Sequence, residues 1–326
     1  MKISSEKYIA LLAMICLLLV CTPRFNGNTN WVKQTPWDAH YFNAYVEYFR
    51  GEVPSAPIRP MTNARFLLPL LAHLLPFSAA SSLNILNFFC LAFSLYYLFA
   101  ILKFVGAEPK QATWAVFISI FSFPSFYYTC ISYVDPGAIL FLTMGVYAWL
   151  KEKHIAFGLA CLLGLVTKET SILLFPFAIA MSVFKKQYKI AAWLILGCML
   201  FCALHYLIRM YAPLNTGEIR FKPLQFNLEA AKYNLQRTNT ILSFILSLGL
   251  PGLLLLIKLY SHKIKLFQSS TSMGALGGLI GIFVLYLFSF FTTIADGRII
   301  WHAYVFMFIL IFERRDLLTE KRKHGK

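Results

Sequence analysis

Long apolar runs separated by short polar segments make up most of this chain. Several runs are shorter than the ~20 residues that a spanning helix needs, but they can extend into their polar flanks. The pattern predicts an all-α integral membrane protein with about ten transmembrane helices. The runs are Tyr8–Cys21, Leu83–Phe104, Ala112–Cys130, Gly137–Leu150, Ile155–Val166, Ser171–Phe184, Ile190–Ile208, Thr240–Leu259, Met273–Thr293 and Ile299–Phe312.

A further apolar segment, Phe66–Pro76, is too short to span and is interrupted by Pro69. If this segment does not cross the membrane, the basic loops that follow it share one side with the N-terminus. If it does cross, those loops are divided between both sides. Because basic loops concentrate on the cytoplasmic side, we predict that the segment is a re-entrant or interfacial helix on the outer face and that both termini are cytoplasmic.

This topology predicts a single polytopic membrane domain over residues 1–313, followed by a basic cytoplasmic tail at residues 314–326 that lies near anionic lipid. An outer loop at residues 22–80 carries the interfacial helices. Composition agrees, since 59% of the residues are hydrophobic and only 13% are charged. The formal net charge is +16, but the basic residues are scattered through short loops and form no patch, so we predict no nucleic-acid partner.

Carboxylates are rare in this chain, which has only 14 Asp and Glu residues, and four of them are predicted at helix mouths on the outer side. The inner loops carry no comparable group. Ionisable residues at membrane helices are seldom present without a reason, so the outer face is the predicted working face. The four carboxylates are Asp38, Asp135, Glu169 and Asp296.

The segment Thr35–Gly51 predicts an amphipathic helix that lies on the outer leaflet and ends at its glycine. Its first residues fit a capping box that Asp38 closes. Aromatic residues such as Trp37 and Tyr41 recur at helical spacing and predict a stripe that faces lipid. Asp38 has two compatible interpretations: it caps this helix, or it is a general base held at the membrane surface.

The other acidic residues also have a structural and a functional interpretation. Asp135 precedes Pro136, the composition of a helix N-cap, and otherwise it would bind an acceptor or a metal ion. Glu169 follows Lys168 at another helix mouth, where its charge suits the helix dipole.

Outer-face cations are candidates for binding phosphate, because the guanidinium group matches phosphate oxygens. Arg298 follows Asp296-Gly297, and the simpler alternative is a salt bridge between Asp296 and Arg298. His205, inside an apolar run, is expected to be hydrogen-bonded within the bundle. The remaining candidate cations are Arg59, Arg65, Arg220 and Lys222.

Short motifs along roughly the first 185 residues are Trp37-Asp38-x-x-Tyr41, Arg65-x-x-x-Pro69, Asp135-Pro136 and Gly164–Glu169. In this order, after a first apolar helix, they resemble the polytopic GT-C glycosyltransferases. The similarity is to bacterial members related to the ArnT-like and protein mannosyltransferase enzymes of the cell surface. Two features depart from that family: Ala39 stands where many relatives have a second acidic residue, and the chain ends in a basic tail rather than a soluble domain.

The resemblance implies an inverting transfer of sugar from a polyprenyl-phosphate donor to a lipid, glycan or protein acceptor. The reaction would occur on the extracytoplasmic face of the bacterial inner membrane. Asp38 would be the base, with Asp135 or Glu169 as a supporting acid. A divalent cation at Asp38 and Asp135 is left open. The candidate substrate- and phosphate-binding residues are Trp37, His40, Tyr41, Arg59, Arg65, Lys168, Arg220, Lys222, Asp296 and Arg298.

Two other classes remain open from the residues alone. A transporter or flippase would carry its substrate and favours inverted repeats with broken helices, of which the sequence shows only the short Phe66–Pro76 segment. A glycopolymer polymerase or ligase of another fold would use a charged later outer loop. The loop Arg209–Thr238 keeps that alternative open.

Overall fold

The part of the chain that can be described is helical. It contains no β-strand, so the prediction of an all-α protein is confirmed for these residues. The computed structural model describes residues 15–17, 39–56, 58, 64–211, 226–261, 269–293 and 295–313.

Short segments connect the helices between Leu67 and Phe184. Gly51, with a positive φ of 76°, follows the first helix and ends it as predicted. A 3-10 helix, Glu169–Leu173, leads directly into α8. The helices are α1 (Ala39–Phe49), α2 (Leu67–Ala72), α3 (Ala79–Phe104), α4 (Pro109–Ile120), α5 (Phe123–Tyr128), α6 (Asp135–Leu150), α7 (His154–Leu165) and α8 (Leu174–Phe184).

Several of the later helices are longer, and the helical backbone is interrupted in two places. His302 and Ala303 separate α13 from α14, and α11 kinks at Gly249, two residues before Pro251. These helices are α9 (Tyr188–Tyr211), α10 (Leu228–Gln236), α11 (Thr238–Tyr260), α12 (Ser270–Thr292), α13 (Arg298–Trp301) and α14 (Tyr304–Phe312).

Within the described ranges, four helices are long and apolar enough to cross a membrane: α3, α9 through Met210, α11 and α12. Three shorter apolar segments, Asp135–Leu150, His154–Leu165 and Glu169–Phe184, accompany them. These are the features of a helical membrane protein. By this criterion, the described residues contain fewer spanning helices than the ten predicted runs.

Two of the predicted runs are divided between separate α-helices. Ala112–Cys130 is divided between α4 and α5, because Pro124 near the start of α5 cannot continue the preceding helix. Ile299–Phe312 is divided between α13 and α14. In both places hydropathy remained high across a break in the backbone, so the pattern of apolar residues did not reveal it.

The interface between α8 and α12 depends on glycine. A Cβ atom added at Gly277 would lie 2.5 Å from the Pro176 backbone oxygen, and one added at Gly274 would lie 2.4 Å from Met181 Cγ. Small residues let helix backbones approach closely, which is the usual way that membrane helices associate. α3 packs similarly closely along α6, and these two pairs form much of the core.

α1 is not the lipid-facing helix that the sequence predicted. It packs against α2 and α3, and Tyr41 and Tyr45 on its aromatic face are buried in the protein. Arg50 at its end donates from Nη2 to the Leu75 carbonyl at 2.9 Å and to Ser82 Oγ at 3.1 Å. The prediction of a stripe facing lipid was therefore wrong, because helical spacing defines an apolar face but not what covers it. α2 is six residues long and, as expected, too short to span.

We expect Gly277→Val to lower the thermal stability of the purified protein, because the new side chain meets backbone that cannot move aside. Overpacking of this kind costs ~1–3 kcal/mol. Gly158→Val is the matched control, since the same change in another helix meets nothing within 4 Å. Thermal unfolding in detergent measures both, and equal shifts would show that the glycine contact is unimportant.

Candidate functional site

Charged residues from four separate segments of the chain converge in one region. Lys168 interacts electrostatically with both carboxylates that flank it, Asp135 and Glu169, and also with Arg65 and Arg298. Each residue lies at or next to a helix start, so the ends of several elements meet here. We call the following residues the charged centre: Arg65, Asp135, Lys168, Glu169, Asp296 and Arg298.

The innermost part of the charged centre is an ion pair between Lys168 and Asp135. Lys168 Nζ donates to Asp135 Oδ1, and the two residues are only 4% and 1% exposed. Burial lowers the pKa of Lys168, and the negative charge of Asp135 opposes that shift. The prediction of Asp135 as an N-cap was wrong: Val134 occupies the N-cap position, and the Asp135 carboxylate turns to the ammonium group instead.

Glu169 and Arg65 form a bidentate salt bridge. Arg65 Nε donates to Glu169 Oε2 at 2.9 Å, and Nη2 donates to Oε1. Such forks fix the guanidinium plane as well as its position. His205 Nε2 lies 4.0 Å from Glu169 Oε2, so this buried histidine borders the charged centre. The Glu169 side chain is 35% exposed, and the pair is therefore reachable from outside the bundle.

Asp296 and Arg298 form the salt bridge that was one alternative from the sequence, with Arg298 Nε 3.5 Å from Asp296 Oδ2. Tyr128 donates its hydroxyl to Asp296 Oδ1 at 2.8 Å, and the Arg298 N–H donates to the same oxygen at 3.1 Å. The guanidinium group lies over the Tyr133 ring, 4.5 Å from its centroid. The Asp296 side chain is 32% exposed and that of Arg298 is 16% exposed.

Asn234 on α10 holds the loop that carries Asp296. Its Nδ2 donates to the Phe290 and Thr293 carbonyls at 2.8 and 2.7 Å, and its Oδ1 accepts from the Ala295 N–H at 3.0 Å. The side chain is fully buried, so the network replaces water as the partner of this loop backbone. The loop is therefore fixed before α13 begins.

Gly297 explains why the loop can lie so close to α11. A Cβ atom at this position would be 2.0 Å from the Ser243 carbonyl oxygen. The Gly297 N–H also donates a hydrogen bond to Ser243 Oγ at 3.0 Å. The glycine of Asp296-Gly297-Arg298 is required for a close backbone approach between α11 and this loop.

Sequence reasoning missed Tyr128, Tyr133 and Asn234. The two tyrosines lie in or beside an apolar run, where aromatic residues carry no distinctive signal. Asn234 lies in a polar helix among other polar residues, and only its contacts reveal its role. No spacing along the chain could have linked these residues to Asp296.

Not all predicted residues can be assigned to the charged centre. His40 and Tyr41 lie in the first turn of α1, and Tyr41 is buried. The other predicted residues lie outside the described residues, and these are Trp37, Asp38, Arg59, Arg220 and Lys222.

The described charged centre suits an anion better than a metal ion. Arg65 and Arg298 are partly exposed cations with neighbouring oxygen acceptors that orient them. Asp135 does not fit the metal-ligand role considered from the sequence, because the Lys168 ammonium group already occupies its carboxylate. Among the residues that the structure describes, no group of three or more His, Cys, Asp and Glu is placed to hold a metal ion.

Removing one partner of the buried pair should destabilise the protein. Asp135→Asn leaves the Lys168 ammonium group buried without the carboxylate to which it donates, which costs ~3–5 kcal/mol in comparable cases. The double variant Asp135→Leu with Lys168→Met removes both charges and should recover much of the lost thermal stability. Unfolding in detergent measures each variant. If Asp135→Asn is as stable as the wild type, the pair does not hold this region together.

Known proteins provide no assignment for this region. None of the protein-family models, curated proteins or solved structures that were compared matches the chain. Its interpretation rests on the chemistry and geometry of the residues.

Proposed function

We propose that this chain is a membrane glycosyltransferase of the GT-C type. It transfers a sugar, with inversion, from a polyprenyl-phosphate donor to a lipid, glycan or protein acceptor outside the bacterial inner membrane. The observation that carries this proposal is the charged centre, in which oriented cations and carboxylates from separate segments meet in a chain that is only 13% charged. Buried or interfacial charges in membrane helices usually mark a substrate site.

The proposed reaction is a single displacement. The acceptor hydroxyl oxygen bonds to the anomeric carbon while the bond from that carbon to the phosphate oxygen breaks, and polyprenyl phosphate leaves. Asp38 takes the hydroxyl proton as general base. A guanidinium group offsets the negative charge that grows on the leaving phosphate. The lipid-linked donor allows transfer outside the cell without a nucleotide.

The described contacts divide the proposed roles. Arg298 is the preferred phosphate ligand, since Asp296 and the Tyr133 ring orient it and part of its side chain is exposed. Arg65, held by Glu169, is the second cation. The buried pair of Lys168 and Asp135 supports the other residues without touching substrate. Of the two candidates for a supporting acid, Asp135 is therefore poorer than Glu169, whose side chain is 35% exposed.

The topology belongs to the same proposal. About ten spanning helices, cytoplasmic termini and a charged centre on the outer side follow from the distribution of basic loops. α1 and α2 then form part of the outer face, between the first apolar segment and α3.

A transporter or flippase is the second candidate, and one observation favours it over a transferase. α11 is kinked at Gly249 and Pro251, and broken helices are common at transport sites. A mostly apolar cavity of about 1100 Å³ lies between α4 and α11, with Trp114 and Leu250 among its lining residues. Such a cavity can hold a lipid chain in either class. Movement of a lipid-linked sugar across vesicles, without formation of a glycosylated product, would favour transport.

Asp38→Asn should reduce sugar transfer by at least about 100-fold, the usual contribution of a general base, while the protein still inserts and accumulates. The assay measures the rate at which a radiolabelled sugar moves from its polyprenyl-phosphate donor to cell-envelope acceptors, in inverted and in intact membranes. Glu52→Gln is the matched control, because it neutralises an exposed carboxylate near the end of α1. Wild-type turnover by Asp38→Asn would remove this residue as the base.

Cysteine labelling tests the topology. In a variant without native cysteines, Val53→Cys should react with a membrane-impermeant reagent from outside intact cells, and Lys153→Cys should react only after lysis. Both positions are exposed on the protein surface, so access depends on the side of the membrane. Labelling of position 153 in intact cells would contradict the proposed orientation.

A further inference from the structure

A small internal cavity lies in the bundle beside the charged centre. It has a volume of about 20 Å³ and is enclosed by α3, α4, α6 and the segment from α13 into α14. A cavity that admits about 10–15 Å³ of probe volume can hold one water molecule, provided that polar groups line it. Its polar lining residues are Ser94, Ser119, Thr143, His302 and Tyr304.

The hydroxyl groups around this cavity have already donated their hydrogens. Ser94, Ser119 and Thr143 each donate to a carbonyl of their own helix, at 2.7, 2.9 and 2.9 Å. Tyr304 donates to the Ser247 carbonyl at 2.8 Å. These hydroxyl groups still have oxygen lone pairs, so each of them can act as a hydrogen-bond acceptor toward the cavity, which Trp301 also lines.

His302 adds one more acceptor. Its Nδ1 lies 3.3 Å from the Arg298 carbonyl oxygen, and because a carbonyl only accepts, Nδ1 must carry the hydrogen. The ring is 1% exposed, and burial of this kind disfavours a charged imidazole. In the neutral ring Nε2 is an acceptor, and it has no hydrogen-bond partner among the described residues.

We propose that this cavity binds one ordered water molecule, which donates one hydrogen to His302 Nε2 and the other to a lining hydroxyl oxygen. A guest with two donors and the volume of a water molecule matches the acceptors that the hydroxyl groups and His302 Nε2 present to this cavity. The water supplies a hydrogen-bond partner to a buried nitrogen that otherwise has none among the described residues. It also holds His302 in the tautomer with hydrogen on Nδ1.

The bound water connects to the charged centre through the backbone. At the break between α13 and α14, the His302 N–H donates to the Ile299 carbonyl at 3.2 Å, one residue short of the α-helical pattern. The Nδ1–H of the same residue supports the Arg298 carbonyl. Since Arg298 begins α13 and points its guanidinium group into the charged centre, His302 is a positioning residue and the water sets its tautomer.

A structure at a resolution that shows other buried waters tests the binding site directly. We expect density for one water within about 3 Å of His302 Nε2, the length of a hydrogen bond. Absence of that density in such a map would overturn the proposal. Nitrogen-15 NMR of labelled histidine should show His302, identified by its loss in His302→Phe, as a neutral ring with hydrogen on Nδ1. A ring with hydrogen on Nε2 would also overturn it.

A double-mutant cycle tests the bridge without a new structure. The variant with Ser94→Ala, Ser119→Ala and Thr143→Val removes the three helix hydroxyls, and we expect a fall of several °C in thermal stability. In a His302→Phe background the further fall should be much smaller, because the water has already lost its principal acceptor. Equal falls in both backgrounds would contradict a shared water. Thr113→Val is the control, since its hydroxyl makes the same type of helix bond outside this cavity.

Discussion

A charge buried in this apolar bundle needs a partner, because an isolated ammonium or carboxylate group away from water costs several kcal/mol. Lys168 and Asp135 meet that requirement together, and in doing so they join the turn after α7 to the start of α6. The pair places the neighbouring Glu169 where Arg65 donates hydrogen bonds to its carboxylate. Arg65 lies immediately before α2, and the Leu67 N–H of that helix donates to the Val166 carbonyl at 3.1 Å, so α2 is attached to the same turn.

A second requirement is that the backbone of every broken helix be satisfied within the protein. Two of the breaks lie at the charged centre: the 3-10 helix that begins at Glu169, and the step from α13, which begins at Arg298, to α14. Asn234, Ser243 and His302 supply side-chain partners to the loop and turn around α13. Polar side chains thus supply hydrogen-bond partners to the irregular backbone in this region. The same helix ends can present functional groups to a substrate.

The two kinds of pair in the charged centre suit different tasks. The pair of Lys168 and Asp135 is sealed from its surroundings and gives the region rigidity. The pairs of Arg65 with Glu169 and Arg298 with Asp296 are partly exposed, so each carboxylate orients a guanidinium group that an incoming anion can still reach. This division is the physical basis for proposing phosphate recognition here rather than metal binding.

The sequence by itself determined that the chain is a helical membrane protein, because hydropathy and length depend only on local composition. It also selected Asp135, Glu169, Asp296 and their neighbouring cations as a set, since charges stand out in an apolar background. Only the tertiary structure decided that Asp135 pairs with Lys168 instead of capping its helix. Only the tertiary structure shows that α2 and α3 pack against α1 and bury its aromatic face, and that Tyr128 donates a hydrogen bond to Asp296, 168 residues away. Contacts between distant segments depend on how helices pack. Helical periodicity predicts which face of a helix is apolar, but it does not predict whether lipid or another helix covers that face.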